Sequence, residues 1–467
     1  MKPLSVEQVL HAAGGRLLCG SRDKKFLLVH TDSKKKGNNS LFVPIIGSRV
    51  DGHDFIEDAF ANGAAGVLTQ RHKDDVVGEG VWIAVDNTRK ALQDIACYHR
   101  GRFNIPVTAV TGSAGKTSTR EMIAAALSAE KCVLKTEGNF NSRVGLPLTI
   151  LMLEDRHEAG VVEIGMSEFG EIAELSLIAK PDIAVVTNIG ISHIEQLGSL
   201  ENIQREKMSI TRGMNNNGIV ILNGDDPLLA EYKGKMRHKT FFYGLADWCD
   251  YRAECVEHGN NSSSFEFVYP EGRQRVYVPA AGRHNVYNAL AALSAACQNG
   301  IELDAAARGL SAFKGEKMRQ QLLESGDLHI IDDTYNASPD SMAAALLVLA
   351  GMNGVKRRIA VLADMMELGR FAYQSHFDLG VKAAEYGIDV VLTVGTRAAW
   401  IAEGIESVRG CTGVEKYADN KGALESLKKM IKSGDAVLVK GSRSMRTEEI
   451  VAGIKDKVMD VCRNGEY

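Results

Sequence analysis

The chain has 467 residues, enough for two to four ordinary domains. Its 45% apolar and 24% charged composition is that of a globular protein, and a formal charge of −4 excludes a general attraction to nucleic acid or anionic membrane. No run approaches about 18 uninterrupted apolar residues, so no membrane span is predicted. The 8 cysteines, Cys19, Cys97, Cys132, Cys249, Cys255, Cys297, Cys411 and Cys462, are irregularly spaced and include no C-x-x-C pair, which predicts reduced, buried thiols in a cytosol.

A first domain is expected over residues 1–104. MKPLSVEQVLHAAGG is an amphipathic helix pattern with no long apolar core or cleavage site, so it is not a signal peptide. The polar loop TDSKKKGNNS follows, its three lysines reading as a solvated cluster, and then the strand SLFVPI. FIEDAFANGAAGVLT reads as helix then strand, VWIAV as a strand, and KALQDIACYHRGR as a helix leading into the next unit.

A second domain is expected over 105–314. Strand VTAV, a glycine loop and helix REMIAAALSA form one βα unit. AGVVEIGM and DIAVVTNIG are continuous apolar runs, as expected of strands buried on both faces of a parallel sheet. NNNGIVILNGDDP adds a strand ending in a turn. From Tyr243 to Pro279 the pattern alternates, predicting an antiparallel edge or flap, before HNVYNALAALSAACQNG returns to helix.

A third domain is expected over 315–467. The strands HIIDDTYN, RIAVLAD, DVVLTVG and DAVLVKG alternate with the helices SMAAALLVLAG, FDLGVKAAEYG, AAWIAEGI and ALESLKKMIKSG. That alternation argues for a doubly wound, Rossmann-like parallel sheet. The expected fold is therefore α/β in three domains.

PVTAVTGSAGKTSTREM carries the clearest chemistry. Successive N–H groups in a glycine turn, followed by a helix N-terminus, make an anion nest. Gly112 and Gly115 let the backbone approach phosphate, Lys116 reaches the terminal phosphates, and the Thr117 hydroxyl can ligate Mg²⁺. The loop is short: Val110 stands where the usual G-x-x-x-x-G-K-[ST] has its first glycine. Strand ends supply candidate partners, Glu163 in VVEIGMSEFGE and Asn188 and His193 in VVTNIGISHIE, and a carboxylate and imidazole converging there can hold a second Mg²⁺. Each alone reads equally as a cap. Lys207 in NIQREKMSI reads from its periodicity as a surface lysine. Asp332 and Asp333 read as facing the nucleotide across a cleft or as a strand-end cap.

Together these pieces resemble the Mur ligase family, ATP-dependent amide ligases of bacterial cell-wall precursors, over essentially the whole chain. The motifs are TGSAGKTST, EGNFNSRVGLPLT, VEIGMSEFGEI, TNIGISHIE, GRHNVYNALAA, DDTYNASPDSM, LADMMELG and VLVKGSRSMR. The short loop is that family's form. The last three motifs resemble the member that joins D-alanyl-D-alanine to UDP-N-acetylmuramoyl-tripeptide. The resemblance implies carboxylate activation as an acyl phosphate and attack by an amine, giving an amide, ADP and phosphate. It implies ATP as cofactor with two Mg²⁺ sites, in a cytoplasmic bacterial enzyme; a monomer is expected, because no interface stripe stands out.

By position, the resemblance implies that Gly112, Ser113, Ala114, Gly115, Lys116, Thr117 and Ser118 hold the phosphates. Asn285, Asn288, Arg319 and Asp333 meet the rest of the nucleotide. Thr117, Glu163, His193 and Lys207 bind metal, Lys207 as a carbamate, and Lys116, Lys207, Glu163 and His193 carry the catalysis. Ser48, Arg49, Asp51 and His53 of the first domain meet the UDP substrate, Tyr335 and Asn336 meet substrate from the third domain, and Asn139 and Asn141 lie where the substrate or the γ-phosphate is met. The dipeptide's free carboxylate needs a cation or N–H donors, for which Arg443 or Arg446 in KGSRSMR is a candidate; the two read equally as part of a solvated loop. Departures from the family pattern are Lys34 for arginine, which loses a bidentate fork, Pro44 for alanine, Ala363 for glycine and Thr334 for serine. Rival readings are a folate-type glutamate ligase, a P-loop kinase or motor ATPase, and an inactive ATP sensor. The UDP-module pattern, the distance of Asp332 from the loop, and the presence of Lys116, Glu163, His193 and Lys207 argue against them in turn. The third residue of the acceptor peptide and the use of a depsipeptide donor are left open.

Overall fold

The computed structural model describes residues 1–71 and 80–455; Cys462 lies outside them. Three main sheets divide the chain. The first has five strands in the order Arg16–Cys19, Val81–Ala84, Ala64–Thr69, Ser40–Phe42, Leu28–His30, parallel except for Arg16–Cys19 at one edge. The N-terminal helix Val6–Ala13 starts at a capping box between Ser5 and Gln8 and ends at Gly14 with φ 61°. Lys34, Lys35 and Lys36 are exposed, as a solvated loop requires.

The second sheet has nine strands. Seven run parallel, with Val107–Thr111 between Ala159–Glu163 and Ile183–Val186. Their apolar runs are continuous because both faces are covered. Val110, Val161, Val185 and Ile221 pack into one core, and Ala109, Val162, Ala184 and Val220 into the core on the other side, which continues into the first domain. The alternating segment forms the edge: Ser262–Tyr269 and Gly272–Val278 are antiparallel, while Tyr251–Gly259 joins the sheet in parallel.

The third sheet has six strands in the order Gln321–Ser325, Leu328–Asp333, Asp435–Lys440, Arg357–Ala363, Val390–Val394, Gly413–Tyr417. It is parallel except for Gln321–Ser325, which folds back on Leu328–Asp333. The strict β–α alternation expected from sequence therefore has one antiparallel exception. Gly413–Tyr417 is an edge strand without a fully buried residue, so it lacks the apolar run that marks its neighbours.

The cysteines correct an expectation. All seven that are described are free, but only Cys249 is buried, while Cys19, Cys255 and Cys411 are exposed. Cys19 and Cys255 lie where the strand register shifts, and such bulges re-aim side chains outward.

Candidate active site

The helix Lys116–Leu127 begins directly after the glycine loop, at Gly115 with φ 77°. A Cβ on Gly112 would stand 1.8 Å from Thr187 Oγ1, and one on Gly115 2.8 Å from Asn288 Oδ1, so both positions exclude a side chain. The loop is braced from the neighbouring strand. Thr187 Oγ1 donates to Ala114 O at 2.6 Å, Asn188 Oδ1 accepts from Ala114 N at 2.8 Å, and Ser113 Oγ pairs with the backbone of Gly190. Asn188 thus shapes the loop.

Strand order brings Glu163 to the foot of this loop. Thr117 Oγ1 donates to Glu163 Oε2 at 2.9 Å, and Asn141 Nδ2 donates to Glu163 Oε1 at 2.6 Å. Lys116 Nζ folds back onto Gly112 O at 2.8 Å. Burial pushes the Lys116 ammonium down, Glu163 opposes this, and Arg319 adds to it.

Lys207 is the largest departure from the sequence reading. It is 1% exposed, not a surface residue. Its Nζ has the Met166 sulfur at 3.9 Å as its hydrogen-bond partner. The adjacent Glu206 spends its carboxylate on the N–H groups of Gly170 and Ile172. Burial first, and the Lys116 charge second, hold Lys207 well below the ordinary lysine range.

The third domain closes over the same space. A cavity of ≈ 810 Å³ is lined by the loop, Glu163 and His193 on one side and by Arg319, Asp333, Tyr335, Asn336 and Arg443 on the other. A smaller cavity of ≈ 160 Å³ adjoins it and shares Ser118, Asn285 and Arg319. Asn139 and Asn141 line the larger cavity, as do Asn285 and Asn288, which are linked to each other and to Thr119. His193, with φ 62°, pairs through Nδ1 with Glu367 Oε2 of the third domain at 2.6 Å.

The two aspartates divide the alternatives between them. Asp332 caps its strand end, accepting from Thr334 N and Oγ1. Asp333 faces the cavity, paired with the buried Lys440 at 2.7 Å. The Arg319 guanidinium lies 4.1 Å from the centre of the Tyr335 ring. Of the two arginine candidates, Arg443 lines the cavity; Arg446 pairs with Glu449 and is not part of the lining.

In the first domain, Ser48 and Arg49 are exposed on the turn bridged by Ile46 and Asp51. His53 is not free to meet a ligand: it is 2% exposed, its Nδ1 bonds Asp51 Oδ1 at 2.7 Å, and its Nε2 accepts from Gln70 N at 3.1 Å. Asp51 also caps the turn that follows, accepting from His53 N at 2.9 Å. This pair shapes the loop that presents Ser48 and Arg49.

Sequence reasoning missed Arg120, Glu367 and Lys440. Arg120 had a usable signal, because it stands one helical turn after Thr117 and so shares its face. Glu367 and Lys440 lie inside the motifs LADMMELG and VLVKGSRSMR, but their partners come from distant segments, so no local pattern shows the pairing.

The fold and cavity define a three-domain α/β protein built around a glycine loop at a helix N-terminus, with a second α/β unit closed over it. Family models for the Mur ligase family catalytic domain, the Mur ligase middle domain and the Mur ligase glutamate ligase domain match residues 26–100, 110–296 and 318–443. The UDP-N-acetylmuramoyl-tripeptide--D-alanyl-D-alanine ligase of Bacillus subtilis is 40% identical, covering 91% of this chain and 92% of its own. A crystal structure of MurF from Acinetobacter baumannii is 31% identical with a TM-score of 0.90, covering 98% of this chain and 99% of that one. The MurF ligase of Thermotoga maritima, solved in complex with ADP, is 30% identical with a TM-score of 0.82, covering 93% and 98%. The chain belongs to the Mur ligase family.

Proposed function

We propose that the chain is an ATP-dependent amide ligase of peptidoglycan precursor synthesis. It joins D-alanyl-D-alanine to UDP-N-acetylmuramoyl-tripeptide, yielding the UDP-pentapeptide, ADP and phosphate. The observation that carries this reading is the shared cavity, where the glycine loop, Glu163 and His193 of the central domain face Arg319, Asp333 and Arg443 of the third. The activity named for the relatives supports it.

The tripeptide's terminal carboxylate attacks the γ-phosphorus of ATP, and ADP leaves. The amine of D-alanyl-D-alanine then attacks the acyl carbon, loses a proton, and expels phosphate. Lys116 and the loop N–H groups meet the charge on the transferring phosphoryl group. Asn285 and Asn288 lie on the nucleotide side, and Asn139, Asn141, Tyr335 and Asn336 on the peptide side. Arg443 receives the dipeptide carboxylate. The 48–53 turn takes the UDP moiety, with Ser48 and Arg49 in contact and Asp51 and His53 holding the turn. Closure of the third domain excludes water from the acyl phosphate.

Magnesium fits the donor chemistry of the first site. A hydroxyl and a carboxylate oxygen meet at 2.9 Å at Thr117 and Glu163, which suits an ion that keeps waters and takes one or two carboxylates plus phosphates. No cluster of three His, Cys, Asp or Glu side chains occurs among the described residues, so a second ion needs a further oxygen donor beside His193. Lys207 would supply one as a carbamate. Burial and the Lys116 charge weaken its hold on a proton, which favours the amine form that adds CO₂, and carbamylation would convert it to an anionic oxygen ligand. When bound, the ions neutralise phosphate charge and polarise the P–O bond.

The enzyme acts as a monomer in the bacterial cytoplasm. No helix among the described residues is long and apolar enough to cross a membrane. The test is phosphate release from ATP with UDP-N-acetylmuramoyl-tripeptide and D-alanyl-D-alanine, together and separately. Release requiring both, with a UDP-pentapeptide by mass, is expected; release with neither would make the protein an ATPase instead.

A further inference from the structure

Arg120 heads the fully buried side chains by size. Its Nη1 donates to Gly138 O at 3.0 Å and lies 3.5 Å from Glu163 Oε2, the oxygen that also accepts from Thr117. Its Nη2 donates to Glu121 Oε1 at 2.7 Å and to Glu316 Oε1 at 2.9 Å. One guanidinium therefore gathers three carboxylates, a task its planar fork performs and a lysine's point charge does not. Burying such an ion is a poor way to add stability, because an apolar side chain of similar volume often serves as well. Its geometry asks for another purpose.

Glu316 supplies one. It belongs to the crossing between the helix Leu303–Ser311 and the strand Gln321–Ser325, where the chain leaves the central sheet for the third. Glu316 and Arg319 close a tight turn there, with Arg319 N donating to Glu316 O at 3.3 Å. Met318 at φ 62° and Gln320 at φ 49° flank Arg319 in the left-handed region, which non-glycine residues occupy only when their surroundings hold them. The far side is held by the third domain: Gln320 N donates to Asp333 Oδ1 at 3.2 Å, and Tyr335 N to Met318 O at 3.1 Å. On the near side, the Glu316 carboxylate is anchored to Arg120.

We propose that Arg120 and Glu316 are positioning residues, forming a strut that sets the turn presenting Arg319 to the nucleotide phosphates against the phosphate-loop helix. The same guanidinium lies against Glu163, so one buried side chain registers both halves of the cavity. This rests on the reading of that cavity as the ATP site.

The test measures affinity for a β,γ-methylene analogue of ATP by calorimetry in the full-length protein, independently of ligation. Glu316 is the better target, since its side chain is 30% exposed and its loss spares the core. Arg319→Ala is expected to weaken binding about tenfold, a charge-assisted contact being lost, and Glu316→Ala to weaken it several-fold. If Glu316 acts through Arg319, the double variant binds no worse than Arg319→Ala alone. Glu316→Gln keeps an acceptor for Arg120 and recovers part of the loss, whereas a merely structural role would lower the melting temperature and leave affinity alone. Wild-type affinity in Glu316→Ala, or losses that multiply in the double variant, would overturn the strut. A wild-type protein that binds no analogue would instead remove the nucleotide reading on which it rests.

Discussion

Gly112→Ala is the sharpest probe of the loop. The new Cβ would fall 1.8 Å from Thr187 Oγ1 and 3.0 Å from Thr187 Cβ, at a backbone φ of 152°. Ordinary contact is about 3.5 Å, so something must move by roughly 1.5 Å. The Thr187 hydroxyl cannot yield freely, because it holds Ala114 O at 2.6 Å in the middle of the anion nest. The loop therefore shifts, and a misplacement of about 1 Å at such a site costs on the order of 10²-fold in rate. Overpacking adds about 1–3 kcal/mol of destabilisation. The assay is kcat/KM with calorimetric nucleotide affinity, alongside denaturant unfolding. Adding Thr187→Ala removes the atom at 1.8 Å and is expected to restore part of the affinity. Wild-type affinity in the single variant, or no relief in the double, would refute the steric argument.

Lys207→Met is expected to abolish turnover and, in CO₂-free buffer at pH 7, to raise unfolding stability. The lysine pKa is lowered in the fold, so the unfolded chain binds more protons and stability of the wild type should climb with pH toward about 10.4. A less stable variant with a flat profile would show Lys207 to be charged and paired. His99, buried against Leu153 O and pushed down to about 4, works in the acid range. The unfolded chain takes up its proton first, so stability is lost as pH falls from 6.5 toward 4, by about 3 kcal/mol in full. His99→Gln should flatten that part of the denaturation profile, and an unchanged slope would assign it elsewhere. Glu367→Ala should lower kcat more than it raises the KM for ATP, because it frees the His193 ring without touching the loop; a pure KM effect would argue against this contact.

The difference between what was legible and what was not is one of sequence distance. The phosphate loop could be read because strand, nest and helix are contiguous, and the parallel strands because burial on both faces leaves an uninterrupted apolar run. Glu163 could be placed at a strand end, but its contact with Thr117 depends on which strand lies beside which. Lys207 looked like an exposed helix residue because its helix has charges on most sides; only packing against Met166 reveals its burial. His53 was read as a ligand contact from its motif, yet the fold uses both of its nitrogens to hold a turn. Arg319 was named, but the strut behind it joins Arg120 to a residue in the interdomain crossing, a pairing no local pattern encodes.

The central claim is that ATP activates the peptide carboxylate. Tripeptide substrate carrying ¹⁸O in its terminal carboxylate should be ligated with unlabelled ATP and D-alanyl-D-alanine, and the released phosphate weighed by mass spectrometry. An acyl phosphate requires one ¹⁸O atom to pass to each phosphate. Unlabelled phosphate accompanying amide formation would contradict the account, because ATP would then be cleaved without its γ-phosphoryl group ever joining the carboxylate.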